Sequence, residues 1–170
     1  SILKIRFKEC IFSTSLLKKY IPKDIKKISK FNFVFKAIKK TKKKYPNKKN
    51  INFLFYYRDH TNKKTFFPFE LLKKLIKQNY NIKIVGDKIS LKGITNLGYV
   101  SFGKVNSLLK KTKFTVISNE NIFSFFTIDA INNNVKILIK NNKFNLLNNY
   151  KKNFIKFNFY KNDLKKIKLK

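Results

Sequence analysis

Arg58 and His60 are polar residues at a position where α/β proteins bind ligands. They follow the apolar run Ile51–Tyr57, which has the length of a buried strand. Ligands of open α/β sheets bind beyond the carboxyl ends of the strands, so a guanidinium and an imidazole here can hold an anion. The simpler interpretation is a polar loop. Because Lys63 and Lys64 add positive charge nearby, we expect these four residues to contact RNA phosphates.

Glu120 and Asp129 lie between two further strand-like segments. Glu120 follows the segment 113–118, and Asp129 comes nine positions later, in a stretch that we interpret as a helix. A strand, a loop and a helix that carry acidic residues are typical of the ligand loop of an enzyme. Each acid also has a simpler role. Glu120 near a helix N-terminus stabilises that helix by about 0.3–1 kcal/mol, and Asp129 faces solvent or a lysine.

The sequence argues against several kinds of site. Cys10 is the only cysteine and His60 the only histidine, so disulfides, cysteine or histidine metal sites and Ser-His-Asp catalysis are not expected. No apolar run reaches the roughly 18 residues that a membrane span needs. We therefore expect no metal, no cofactor, no small-molecule substrate and no membrane partner, and we favour a protein that is not an enzyme.

Positive charge dominates the composition. The 170 residues include 41 lysines and arginines against eight acidic residues, and the net charge is +33. Arg6 and Arg58 are the only arginines, and Asn, Ile and Phe are abundant, which indicates an AT-rich coding sequence. Codon bias raises the lysine content but does not remove acids, so the charge favours a polyanionic partner.

Lysine runs recur along the chain with aromatic residues between them. A single run usually lies on a solvated face. Repeated runs with aromatic residues are typical of an RNA-binding surface, where lysines contact phosphates and rings stack on bases. The lysines that we predict to bind RNA, besides Lys63 and Lys64, are Lys42, Lys43, Lys44, Lys48, Lys49, Lys151 and Lys152.

Strand and helix patterns alternate over residues 51–139. This alternation predicts an α/β fold with a single Rossmann-like, three-layer parallel sheet. Residues 1–50 and 140–170 are predicted to be basic extensions, the second with one more strand-like segment, FIKFNFY. The predicted strands are 51–57, 81–86, 96–101, 113–118 and 135–139, and the predicted helices are 67–78, 102–112 and 121–134.

The order of these segments resembles the C-terminal, nucleotide-binding half of GT-B glycosyltransferases. The resemblance rests on FYYRDHTNKK after the first strand, IKIVGD at the second, and the segments NLGYVSFGKVNSLL and TKFTVISNENIFSFFTIDAINNNVKIL. It covers a little over half of the chain. It implies that Glu120 and Asp129 correspond to two family glutamates that hold the ribose and phosphate of the donor at a helix N-terminus.

The chain departs from that family in three respects. Glu120 and Asp129 are one position further apart than the family's two acids, and Asn121 has the matching spacing. Asn134 replaces the Gly-Pro that precedes the last strand. The lysine-rich residues 1–50 do not resemble the acceptor-binding domain, so the resemblance implies nucleotide binding at most.

We therefore expect a structural, rRNA-binding component of a mitochondrial ribosome, located in the matrix beside rRNA and neighbouring ribosomal proteins. Its glycosyltransferase-like domain would be non-catalytic, with Glu120 and Asp129 as vestiges of a nucleotide site. The first alternative is a glycosyltransferase or nucleotide-sugar-binding fragment from the cytoplasm of a bacterium with a reduced, AT-rich genome. The second alternative is a basic accessory subunit of a membrane complex.

Overall fold

The chain forms two units, Ser1–Thr41 and Lys42–Lys170. The computed structural model describes residues 9–14, 30–35, 49–61, 67–117, 124–140, 152–158, 164 and 167. In the first unit, strand β1 (Glu9–Thr14) pairs in parallel with strand β2 (Lys30–Phe35). β1 contains the apolar run Cys10–Phe12, and β2 is apolar at four of its six positions. Short apolar runs of this length are typical of strands.

The described residues of the second unit form a six-stranded, entirely parallel sheet and three helices. This confirms the predicted α/β, Rossmann-like fold. The strands are β3 (Ile51–Tyr57), β4 (Ile82–Gly86), β5 (Thr95–Asn96), β6 (Thr112–Val116), β7 (Lys136–Lys140) and β8 (Phe154–Phe157). The helices are α1 (Phe69–Lys77), α2 (Phe102–Lys110) and α3 (Phe125–Asn132).

The strand order of this sheet is β5-β4-β3-β6-β7-β8. Counted from the first strand of the unit, this is the order 3-2-1-4-5-6 of doubly wound dinucleotide-binding sheets. The chain moves outward from β3 to β5, then returns across the sheet to β6 and moves outward the other way. The direction therefore reverses between β3 and β6, and a crevice is expected beyond the carboxyl ends of these strands.

Strand β3 is apolar at every position except Asn52 because both of its faces are covered, as is usual for the centre of a parallel sheet. Phe53, Phe55 and Tyr57 pack in one cluster with the buried leucines of α1. Tyr56 points to the other face, where its ring stacks on Phe126 of α3 at a centroid distance of 5.8 Å. Helices α2 and α3 also contact each other on that side. The sheet thus has a helix layer on each face.

Two serines begin the helices that flank the carboxyl ends of the strands. Ser101 Oγ accepts a hydrogen bond from the Lys104 N–H at 3.3 Å at the start of α2. Ser124 Oγ accepts one from the Thr127 N–H at 3.2 Å at the start of α3. Each bond satisfies a backbone donor that has no partner within its helix, which fixes where the helix begins.

The segment 140–170, which the sequence sets apart as a basic extension, contributes to the sheet and its core. Strand β8 pairs with β7, with Leu138 opposite Ile155. Phe157, Leu164 and Ile167 belong to the same buried cluster as the leucines of α1. The FIKFNFY segment therefore supplies an edge strand, at Phe154–Phe157.

Candidate ligand-binding crevice

A cavity of about 330 Å³ lies at the carboxyl edge of the sheet, next to the position where the strand order reverses. Tyr56 and Arg58 line it from the end of β3, and Val85 and Gly86 line it from the end of β4. The remaining lining residues come from the loop before α2, from α2 itself and from the first turns of α3. Its volume is within the range of small-molecule sites in proteins.

Gly86 allows the end of β4 to approach the end of β3 closely. Its φ angle is +101°, and a Cβ atom built on it would lie 2.1 Å from the carbonyl oxygen of Tyr57. The Gly86 N–H donates to the Gly98 carbonyl at 3.0 Å, and the Asp87 N–H donates to the Tyr57 carbonyl at 3.0 Å. Only glycine combines this backbone conformation with this contact. The wall of the cavity therefore depends on Gly86.

Asp87 connects three loops at the rim of the cavity. Its Oδ1 accepts a hydrogen bond from the Tyr99 hydroxyl at 2.7 Å, and its Oδ2 accepts one from the Asp59 N–H at 2.7 Å. The Tyr57 hydroxyl in turn donates to Asp59 Oδ1 at 3.1 Å. Because its Oδ1 and Oδ2 accept these hydrogen bonds, the Asp87 carboxylate holds the loops after β3, β4 and β5 together.

These hydrogen bonds change the pKa values of both partners. The bond from Tyr99 lowers the pKa of Asp87 below its ordinary value, with further contributions from the Asp59 N–H and the charge of Arg58. The same bond raises the pKa of Tyr99. Both shifts have the direction expected when a hydroxyl donates to a carboxylate, because the bond favours the ionised acid and the neutral phenol. Asp87 is thus a negative charge at neutral pH, beside Arg58.

Asp129 lies in α3 and contributes a carboxylate to the cavity wall. Burial raises its pKa to about 6. Within the described residues, no hydrogen bond or ion pair involves its carboxylate, although the chain has 41 basic residues. The simpler sequence interpretation, exposure to solvent or pairing with a lysine, does not describe this environment. A half-buried carboxylate in a cavity is suited to accept hydrogen bonds from the hydroxyl groups of a ligand.

Exposed aromatic rings surround the same cavity. The large hydrophobic side chains exposed among the described residues are Tyr56, Tyr99, Phe102 and Phe125, with exposed fractions of 45%, 67%, 70% and 58%. All four line the cavity. Such rings in water favour contact with a flat apolar group such as a nucleobase. No sequence pattern identifies these four rings as a group, because they are separated in the sequence and only the fold brings them together.

The structure separates the predicted RNA-binding residues into two regions. Arg58 lines the cavity, and His60 is exposed just beyond the end of β3. Lys49 and Lys152 precede β3 and β8 and therefore lie at the amino edge of the sheet, away from the cavity. Outside the described residues are Glu120, Lys42, Lys43, Lys44, Lys48, Lys63, Lys64 and Lys151.

The described part of the chain lacks both a metal-binding cluster and a helix able to span a membrane. No group of three or more His, Cys, Asp or Glu side chains is arranged there to hold a metal ion. No helix in the same residues is both long and apolar enough to cross a membrane.

Comparison with known proteins does not assign the chain to a family. No protein-family model matches the sequence, and no curated protein is similar to it. The resemblance to glycosyltransferases stays a prediction from the sequence segments quoted above. The structure shows a Rossmann-like sheet with a crevice at its carboxyl edge.

Proposed function

We propose that the crevice binds a nucleotide, and that Lys42–Lys170 acts as a nucleotide-binding domain of the glycosyltransferase type. The supporting observation is the position of the cavity, at the reversal of a 3-2-1-4-5-6 sheet, where doubly wound folds bind dinucleotides and related ligands. The strand order indicates where a ligand binds but not which ligand it is. The aromatic rings and the Asp129 carboxylate in the same cavity add a chemical argument.

The residues of the crevice suit the three parts of a nucleotide. Tyr99 and Phe102 offer exposed rings on which a base can stack. Asp129 offers an acceptor for ribose hydroxyls, and Arg58 offers a positive charge for phosphate. Helix α3 begins at this cavity, so its first N–H groups also favour an anion. The proposal is for binding, because group transfer would also need a site for an acceptor.

Isothermal titration calorimetry of the full chain with UDP, GDP and ADP tests this proposal. We expect at least one of them to bind the wild type. Asp129→Asn should weaken that binding by roughly tenfold or more, since a hydrogen bond to a charged group contributes about 1.5–3 kcal/mol. Phe102→Ala should weaken it by a similar factor, since stacking on one ring contributes about 1–3 kcal/mol.

Lys92→Ala is the matched control for these substitutions, because Lys92 is exposed and does not line the cavity. It should leave nucleotide affinity unchanged. The proposal fails if none of the three nucleotides binds, or if Asp129→Asn and Phe102→Ala bind as tightly as the wild type.

The second candidate is a structural, rRNA-binding component of a mitochondrial ribosome in which the domain is non-catalytic. The net charge of +33 favours it, because phosphate neutralisation is the main source of affinity for nucleic acids. Sedimentation of native material through a sucrose gradient, with and without RNase, tests it. Comigration with a ribosomal subunit, and release by RNase, is the expected result. Migration at the top of both gradients contradicts it.

A further inference from the structure

The acidic residues described in Lys42–Lys170 all lie on one side of the sheet, whereas basic residues occur at both edges. The acids among its described residues are Asp59, Glu70, Asp87 and Asp129. Asp59 and Asp87 directly follow β3 and β4, Glu70 lies in the first turn of α1, and Asp129 lines the cavity. All four are thus on the carboxyl side. The amino edge of the sheet has no acid among the described residues.

Four neighbouring strands each place a lysine at this amino edge. Lys49 precedes β3, Lys111 precedes β6, Lys136 begins β7 and Lys152 precedes β8. Strands β3, β6, β7 and β8 are adjacent in the sheet. Because neighbouring strands are about 4.8 Å apart, the four lysines span about 14 Å. We call these four residues the amino-edge row.

Hydrogen bonds connect the members of the row. The Ile51 N–H donates to the Lys111 carbonyl at 3.0 Å, which places Lys111 beside the start of β3. Lys49 Nζ donates to the Asn134 carbonyl at 3.0 Å, just before β7. Lys136 Nζ donates to the Lys152 carbonyl at 2.9 Å. The acceptors in all three hydrogen bonds are backbone carbonyls. Because the described acids lie on the carboxyl side, none of their carboxylates neutralises the positive charge of the row.

The row concentrates positive charge despite mutual repulsion. Burial lowers the pKa of Lys49, and the charge of Lys136 lowers it further. Repulsion of this kind is relieved when an anion binds between the ammonium groups. Helix α2 ends at the same edge with Lys110, and Lys111 follows it. The C-terminal end of a helix carries partial negative charge, which favours these two cations.

We propose that the amino-edge row is a binding surface for the phosphate backbone of RNA. A linear row of compact cations fits a linear polyanion, and lysine contacts phosphate without selecting a base sequence. A membrane fits less well, because surfaces that insert into membranes combine lysines with exposed apolar residues. The exposed large hydrophobic residues described above all lie around the cavity at the carboxyl edge.

This inference deepens the second candidate function and does not depend on nucleotide binding. It places RNA and the crevice ligand at opposite edges of one sheet, so both can bind at the same time. Lys111 and Lys136 thus join the proposed RNA-binding residues. Arg58 does not belong to them, because it lines the cavity at the opposite edge.

Fluorescence anisotropy of the full chain with a labelled RNA duplex of mixed sequence tests the proposal. The variant Lys111→Glu/Lys152→Glu alters two exposed members of the row and leaves the Lys49 and Lys136 hydrogen bonds in place. We expect its RNA affinity to fall roughly 10- to 100-fold at about 0.1 M salt, with a shallower dependence on salt, because phosphate contacts are lost.

The control variant Lys88→Glu/Lys92→Glu makes the same change in net charge at two exposed lysines outside the row. It should lose at most a few-fold in RNA affinity. An equal loss in both variants would overturn the proposal, because it would show that net charge alone controls binding. Wild-type binding to vesicles containing phosphatidylglycerol, without binding to RNA, would also overturn it.

Nucleotide titrations on the same two variants separate the two proposals. We expect Lys111→Glu/Lys152→Glu to keep the nucleotide affinity of the wild type, since neither residue lines the cavity. If the wild type binds no nucleotide while the RNA result holds, the crevice proposal fails and the amino-edge row remains supported.

Discussion

The hydroxyl of Tyr99 donates a hydrogen bond to the carboxylate of Asp87 at 2.7 Å, across the rim of the cavity. Twelve positions separate the two residues, and the bond joins the loop before α2 to the end of β4. It gives the crevice a defined rim without any contact from a ligand. Because this bond lowers the pKa of Asp87, protonation of Asp87 in acid should weaken the bond and the rim.

We predict that Asp87 makes stability depend on pH in the acidic range. Because its pKa is lowered in the folded chain, its contribution is present above the ordinary aspartate pKa and is lost as pH falls through the lowered value. Asp87→Asn should be less stable than the wild type at neutral pH, and the difference should shrink as pH falls. Urea denaturation at a series of pH values measures this. A difference that is independent of pH would contradict it.

Gly86→Ala should be the most damaging glycine substitution in the described residues. The new Cβ would overlap the Tyr57 carbonyl and the residue would keep a φ of +101°, so we expect a loss of about 2–4 kcal/mol. Gly98 has a positive φ but no neighbour within 4 Å, so Gly98→Ala should cost about 1–2 kcal/mol. Chemical denaturation compares the two. Equal losses would show that backbone strain, and not the contact with Tyr57, controls the effect.

Asp129 should produce the opposite pH dependence from Asp87. Its pKa is raised to about 6, so the protonated form is favoured in the folded chain and stability falls as pH rises through that value. Asp129→Asn should abolish this decrease. Carbon-13 NMR titration of the aspartate carboxyl groups measures the pKa directly, and an ordinary value for Asp129 would contradict the prediction.

Ligand binding should show the same titration if the crevice binds a nucleotide. The ionised Asp129 accepts hydrogen bonds from ribose hydroxyls better than the protonated acid does, so affinity should increase as pH rises through about 6. Calorimetric titration on both sides of this pH checks the effect. Asp129→Asn serves as the control, since this part of the pH dependence should be absent from it.

Ser124→Ala should destabilise the chain by about 1 kcal/mol, because it removes the side-chain acceptor for the Thr127 N–H. Ser101→Ala, the matched change at α2, should cost a similar amount because Ser101 makes the same bond to Lys104. Denaturation midpoints measure both. Ser124→Gly should retain most of the stability, since glycine is tolerated at this position. A large loss in that variant would assign another role to Ser124.

The helices and strands could be predicted because each depends mainly on the pattern of apolar residues within its own segment. The run Ile51–Tyr57 is apolar at every position but one, and it forms a strand of the predicted length. The weakest prediction is the strand 96–101, because the strand observed there is only Thr95–Asn96 and overlaps the predicted range at Asn96 alone. The Asn96 side chain explains this, because its amide donates to the Ile89 carbonyl and accepts from the Ile89 N–H, both at 3.0 Å. These bonds stabilise a loop in place of a longer strand.

The site was less predictable, because its properties depend on which strands are adjacent. The sequence identifies Arg58 and Asp129 as ligand candidates, and the structure places both in one cavity. The burial of Asp129 and the position of Phe102 in the cavity wall depend on the packing of α2 against α3. This packing includes the hydrogen bond from Asn133 Nδ2 to Asn106 Oδ1. No local pattern encodes that contact. The amino-edge row likewise requires the strand order, since Lys49 and Lys136 are far apart in the sequence.

Because the described acids lie only on the carboxyl side of the sheet, the described part of Lys42–Lys170 has an electric dipole moment along its strands, with the amino edge as the positive end. In the field of a large polyanion, such a dipole orients the molecule during diffusion, before any contact forms. The domain would arrive with its amino edge forward and with the mouth of the crevice directed to the solvent. Its orientation on a large charged particle would thus be selected in solution, and a small ligand would still have free access.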